Sequence, residues 1–342
     1  MWDLSDNKET DSFDCYDYTE LPPPQLVPPM YVFFGADDIH IMDERRNQVI
    51  SPKVRSAIDT PGIIGIQKLY FWKQLEKGEG EYDFSPIHRD LKLTNDAGKI
   101  LLIQLQDRSF SKDNPVVPAY LRDPKNKELY SLGVAQQLDR DSDGGWIAKQ
   151  WIPGVRSKFV ALINALGKEF NGKIAGINLP ETATHFDDEH VPEDFTEDSY
   201  FAAELQNIKA LKKSFPDSLA IQYVNFFPGE WNNDKGYMQR TFEEAEQFDF
   251  ALGGPDTIPC RNGQMKNSYP FFRSFNDRIT SVMAVQSPDY KAINTRTGKP
   301  FTIAEFYSFS QHYLGSDIII WDSKEPEFTD RIQPFLKSLH SK

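Results

Sequence analysis

Ile174-Ala175-Gly176-Ile177-Asn178-Leu179-Pro180-Glu181-Thr182 is a short apolar run that ends in a proline and a carboxylate. A run of this length reads as a buried strand, because strands covered on both faces lose the apolar-polar alternation of a half-exposed one. A Glu just past its end stands at the rim where polar chemistry takes place, so Glu181 is the first candidate for a catalytic residue. Capping of the next segment, or pairing with a nearby Arg, is the structural alternative.

Seven other runs have the same character: Met30 to Phe34, Gly65 to Phe71, Ile100 to Leu105, Leu219 to Asn225, Phe248 to Leu252, Ser281 to Gln286 and Asp317 to Trp321. Gly, Pro or polar punctuation follows each, and helical stretches such as Phe159 to Gly167 and Tyr200 to Leu211 lie between several of them. This alternation marks a parallel α/β architecture, and eight strands in about 300 residues predict a closed (β/α)8 TIM barrel. An open doubly wound sheet is the competitor, but no Gly-x-Gly-x-x-Gly follows any strand. Residues 1–29, acidic and then proline-rich at Leu21 to Pro29, read as an extended arm across the surface, with the barrel occupying 30–342.

A chain of 342 residues buries one large core, and an aromatic content of 13% leaves rings over for a ligand. The net charge of -13 repels nucleic acid and anionic membrane surfaces, so neither is an expected partner. A neutral oligo- or polysaccharide is the expected partner, bound by a monomer or simple homo-oligomer. No apolar run is long enough to insert in a membrane. The expected location is periplasmic or extracellular, with a leader absent from this chain, and a cytoplasmic one stays open. Two cysteines, Cys15 and Cys260, exclude a disulfide scaffold and leave one bond open. His40, His88, His185, His190, His312 and His340 show no helical metal-ligand spacing, and the patch His185, Asp187, Asp188, Glu189 and His190 reads as a solvated loop. No cofactor and no metal are expected.

After the second run comes Trp72-Lys73-Gln74-Leu75-Glu76-Lys77-Gly78-Glu79-Gly80-Glu81-Tyr82-Asp83-Phe84-Ser85-Pro86-Ile87. It resembles the W-x-x-L-E-x-x-x-G-x-Y-D-F-S-x-I segment after the second strand in many clan A glycoside hydrolases, which are retaining enzymes on a (β/α)8 barrel. The resemblance runs more weakly through residues 60–325. It implies that Glu181, after strand four, is the acid/base, that position 286, ending strand seven, is the nucleophile position, and that Trp321, ending strand eight, floors the sugar site. Two residues depart from the pattern. Pro180 replaces the Asn that normally contacts the sugar, with Asn178 a possible substitute, and Gln286 stands where a carboxylate attacks the anomeric carbon.

An amide oxygen is a poor nucleophile and carries no charge to stabilise an oxocarbenium-like transition state. Three readings follow: a Glu-to-Gln replacement that traps substrate by keeping shape and deleting charge, another carboxylate, or a barrel that binds glycans without turnover. Asp256 in Gly253-Gly254-Pro255-Asp256 is the best other carboxylate, since the turn presents it rigidly, with turn-capping as its structural alternative. Sugars need flat aromatic faces and planar polar partners, which makes Trp72, Gln104, Gln106, Asp107, Arg108, Asn178, Tyr223, Asn225, Trp231, Trp321 and Asp322 the candidate substrate-binding set. Trp72 is open between stacking and core, and Asp107 with Arg108 between an ion pair and a sugar contact. The segment Ser109 to Gly145 reads as a loop walling the cleft.

Overall fold

The computed structural model describes residues 14–24, 26–37, 39–42, 48–138, 144–187 and 189–341. Asp188 of the acidic patch and residues 1–13 and 25 of the arm lie outside them.

Eight parallel strands close into a barrel in chain order: β1 (Met30–Phe33), β2 (Ile63–Phe71), β3 (Ile100–Gln106), β4 (Gly176–Glu181), β5 (Leu219–Tyr223), β6 (Ala251–Gly254), β7 (Ser281–Val285) and β8 (Ile318–Asp322). β1 pairs with both β2 and β8, which removes every free edge. The helices α1 (Pro52–Ile58), α2 (Ser85–Asp96), α3 (Pro153–Phe170), α4 (Glu197–Ser214), α5 (Tyr237–Phe248), α6 (Tyr269–Ser274), α7 (Ile303–His312) and α8 (Gln333–Leu339) lie between and after the strands. Each of the eight apolar runs overlaps a barrel strand, the sixth only at Ala251 and Leu252, because Phe248 ends α5 and Asp249 caps it.

The helices begin where their chemistry says they should. Pro153 opens α3, whose Val155, Phe159, Leu162, Ile163, Leu166 and Phe170 recur at three- and four-residue spacing and are buried. α4 starts at Thr196, whose hydroxyl accepts from Ser199 N at 3.1 Å, has Glu197 and Asp198 in its first turn and ends with Lys212 and Lys213, all matched to the helix dipole.

Strand alternation then splits the core into two layers. Tyr31, Leu102, Ile221, Tyr223, Ala251, Val282, Ala284, Ile318 and Ile320 fill the barrel interior, while the residues between them point outward against the helices. Two glycines make room for the interior tyrosines. A Cβ on Gly65 would lie 2.5 Å from the Tyr31 ring, and one on Gly253 would lie 2.7 Å from the Tyr223 ring.

Two segments differ from the sequence reading. The described residues between Ser109 and Gly145 are more than a bare loop: Arg108–Ser109, Val134–Gln137 and Gly145–Ala148 form an antiparallel sheet, and Val116, Val117 and Leu121 are buried. Runs of apolar residues in that segment bury area that a bare loop would leave in water. In the arm, Asp17–Glu20 is a helical turn rather than extended chain, with Tyr18 and Thr19 buried. Ser308 of α7 donates to Tyr18 O at 2.8 Å and to Leu21 O at 2.7 Å, Arg296 pairs with Asp17 at 2.7 Å, and a Cys15–Cys260 disulfide joins the arm to the loop after β6.

Candidate active site

Pro180 has no N–H to give the sheet ladder, so the register of β4 against β5 shifts there and Glu181 comes opposite Tyr223. Asn225, just beyond β5, takes over next to it. Its Oδ1 accepts from Ala183 N at 3.0 Å and Phe226 N at 2.9 Å, which fixes the amide so that Nδ2 donates to Glu181 Oε2. Asn178 does not fill the role of the missing Asn. It is fully buried inside the barrel, where its Oδ1 accepts from Gln67 Nε2 at 2.8 Å and its Nδ2 donates to Leu179 O at 2.5 Å.

The chain after Glu181 is held from behind. Tyr200 OH donates to Thr182 O at 3.0 Å, and the Thr182 hydroxyl donates to Phe226 O at 2.8 Å. Arg108 donates to Ala183 O at 3.0 Å and to Tyr200 OH at 3.3 Å, and lies 3.4 Å from Asp107 and 3.5 Å from Glu204. Asp107 also accepts from Gln150 at 2.8 Å. Arg108 has no exposed surface and Asp107 almost none, so the two are a buried brace for the Glu181 loop rather than sugar contacts. Burial alone would lower the Arg108 pKa, but Tyr200, Asp107 and Glu204 outweigh it and hold the guanidinium above its ordinary range. Glu204 is pushed up from 4.5 to about 7 by burial, which Arg108 only partly offsets.

A narrow cavity opens at the barrel mouth, lined by Phe33, Gln67, Gln104, Tyr223, Ala284, Val285, Gln286, Ile320 and Asp322. Gln286 continues the inward parity of Val282 and Ala284, so its side chain reaches this cavity. Asp322 accepts from Ser287 N and Lys324 N, each at 3.0 Å. Burial raises its pKa above the ordinary value, against the pull of those two N–H groups. Gln106, two residues beyond Gln104, is buried with its Oε1 lacking a hydrogen-bond partner. Glu181 belongs to the same end of the barrel and does not line the cavity itself.

Both buried tryptophans of the candidate set belong to the core. Trp72 is fully enclosed, tilted against Phe159 at 5.0 Å, with its Nε1 donating to Glu76 at 2.6 Å. Trp321 has the outward parity of β8, packs with Met30 and Ile319, and leaves Ile320 and Asp322 to face the interior. Trp231, in the loop after β5, is the exposed ring, 51% accessible and stacked parallel to Phe226 at 6.4 Å. Asp256 lies outside the cavity lining, 3.4 Å from Arg261.

Gln67, Phe33 and Asp289 were not singled out from sequence. Gln67 carried a signal, a polar residue inside an apolar strand at the parity of Gly65. Asp289 carried none. Its carboxylate accepts from Gln286 N at 3.0 Å and Thr257 N at 3.1 Å, and burial followed by the nearby Asp256 raises its pKa well above the ordinary range. Among the described residues no group of three or more His, Cys, Asp or Glu is placed to hold a metal ion, and no helix is long and apolar enough to cross a membrane.

Neither a protein-family model nor a curated protein sequence matches this chain. Solved structures do match in shape. Endo-glycoceramidase II from Rhodococcus sp. superposes with a TM-score of 0.53 at 10% identity, over 91% of this chain and 78% of that one. A family 39 glycoside hydrolase from Bacteroides cellulosilyticus WH2 gives 0.47 at 13% identity over 86% of this chain, which spans 56% of that protein's length. An exo-beta-1,4-mannosidase from Opitutaceae bacterium strain TAV5 gives 0.49 at 13% identity, over 91% and 55%. At 10% identity the likeness to the endo-glycoceramidase bears on the (β/α)8 fold alone.

Proposed function

We propose that this barrel is a glycoside hydrolase of the clan A kind acting on an oligo- or polysaccharide, with Glu181 as general acid/base. The observation that carries the reading is the placement of Glu181 at the C-terminal end of β4, held by Asn225 from the next strand end and braced from behind by Arg108 and Tyr200. An acid/base needs one fixed orientation to protonate a leaving oxygen and later deprotonate a water, and this scaffold supplies it. Gln286 at the end of β7 occupies the nucleophile position, and Gln104, Tyr223 and Asp322 around it are suited to hold the sugar. Trp231 is suited to stack a further sugar ring at the rim. The Cys15–Cys260 disulfide supports a periplasmic or extracellular location, since such bonds persist in oxidising compartments.

The test is Glu181→Gln assayed on glycans and on aryl glycosides of graded leaving-group acidity. Loss of general acid help lowers kcat/KM by about 100- to 10,000-fold for poor leaving groups and much less for good ones. Unchanged turnover removes Glu181 from the mechanism.

Gln286 itself favours a second reading, a glycan-binding barrel without turnover. Calorimetry with product analysis separates the two: binding with no products from this chain or from Gln286→Glu supports the binding protein. A third reading, Asp256 as the second carboxylate, has less support because Asp256 faces Arg261 rather than the cavity.

A further inference from the structure

Alternation along β4 runs against Glu181. Ile177 and Leu179 belong to the outer layer packed on the helices and Asn178 between them lies inside the barrel, so a regular strand would send Pro180 inward and Glu181 outward. The slip at Pro180 reverses this. Leu179 is opposite Gln222 and Glu181 is opposite Tyr223, so β4 uses one residue more than β5 over this step, and Glu181 takes the inward parity of Tyr223. A bulge of this kind re-aims a side chain, and the one re-aimed here is the proposed acid/base.

A bulged residue is left out of the ladder, so the carbonyl of Pro180 needs a donor from elsewhere. Gln222, buried on the outer face of β5, supplies it. Its Nε2 donates to Pro180 O at 2.5 Å and to Tyr223 O at 3.0 Å, which ties the slipped residue of β4 to the residue of β5 that Glu181 has come to face. Thr182 O and Ala183 O, on the far side of Glu181, are held by Tyr200 and Arg108, so Gln222 is the hold on the near side. We infer that Gln222 is the positioning residue of Glu181, the side chain that locks the slip and with it the direction in which the carboxyl points. The inference rests on the glycosidase reading for its catalytic consequence. Packing alone does not call for a glutamine here. The neighbouring outward positions Leu179, Ala220 and Val224 are apolar, and the Gln222 Oε1 is buried with no hydrogen-bond partner, a cost that a leucine would not carry.

The test measures Gln222→Leu and Gln222→Glu beside the parent on glycans and on aryl glycosides of graded leaving-group acidity, each set repeated in the Gln286→Glu chain. Gln222→Leu removes the donor. It should lower kcat on poor leaving groups by about 100-fold, as for a reacting group misplaced by about 1 Å, with KM changed by less than about 3-fold. On the most acidic leaving groups, which need little help from an acid, the loss should be under about 10-fold, whereas a general loss of structure lowers both series alike. Gln222→Glu keeps the length of the side chain and the fold. Protonated, its O–H donates to Pro180 O; ionised, it has no donor, so the ratio of its rate to the parent's should fall as the pH rises. Equal losses on good and poor leaving groups, or a ratio that does not change with pH, overturn the inference. Hydrogen exchange reads the same hold without turnover: the Ala183 N–H, which donates to Asn225 Oδ1, should exchange at least about 10-fold faster in Gln222→Leu while the amides of β1 and β8 keep their rates. Unchanged protection at Ala183 overturns the inference as well. No turnover by this chain or by Gln286→Glu overturns the glycosidase reading, and the exchange rates then decide the hold of Gln222 by themselves.

Discussion

Replacing Glu204 by Gln tests the buried brace behind the Glu181 loop. Glu204 is 5% exposed, 3.5 Å from the Arg108 guanidinium, and held at about 7 against an ordinary 4.5 because burial outweighs the attraction of Arg108. Between those two values the folded chain keeps a proton that the unfolded chain has released, so the contribution of Glu204 to stability is largest below about pH 4.5 and is lost as the pH rises toward 7. A gap of about 2.5 at about 1.36 kcal/mol each makes the loss about 3 kcal/mol, complete by pH 8. Glu204→Gln keeps the shape and an oxygen for Arg108 but removes the titration. Urea unfolding of both proteins at pH 4.5, 6 and 8 reads the difference in which all other groups cancel. The expected result is a variant that gains about 3 kcal/mol on the parent between pH 4.5 and 8. Parallel profiles, within about 0.5 kcal/mol, would mean that Glu204 stays ionised beside Arg108 throughout, and the account of the brace would be wrong.

Trp72→Ala should cost about 3–5 kcal/mol of stability in urea unfolding, as for a large enclosed ring whose cavity cannot collapse, while affinity of the folded protein for glycans in calorimetry stays as it was. Trp231→Ala should do the opposite: a stability change within about 0.5 kcal/mol, and weaker binding of long glycans than of short ones, as expected for a lost stacking platform at the rim. Breaking the Cys15–Cys260 bond, by Cys15→Ser or by reduction, should lower stability by about 2–5 kcal/mol because the bond spans 245 residues of sequence. Equal thermal midpoints with and without reductant would count against that role.

Much of this molecule was legible one segment at a time. Each barrel strand announced itself as an apolar run, because a strand buried on both faces has no polar face to show, and the order of runs and helices left the closed barrel as the natural arrangement. The position of Glu181 at the end of β4 was legible for a related reason, as the first carboxylate after such a run. The buried polar network was not. Arg108, Asp107, Glu204 and Tyr200 come from a strand end and a helix about 90 residues apart, and no local pattern says that they meet.

Strand parity marks the boundary between the two kinds of information. In a half-exposed strand the apolar face names the inside, but in β8 both faces are apolar, and Ile320-Trp321-Asp322 gives no sign of which residues look into the barrel. Closure decides it, sending Trp321 to the helices and Asp322 to the cavity beside Gln286. By itself the sequence determined the architecture, the placement of Glu181 and the absence of a carboxylate at position 286, since each depends only on local burial pattern and residue identity. The tertiary structure alone decided which amides and acids share a cavity, which tryptophans are core, and that Cys15 and Cys260 are bonded, because each depends on contacts between strands and loops distant in the chain.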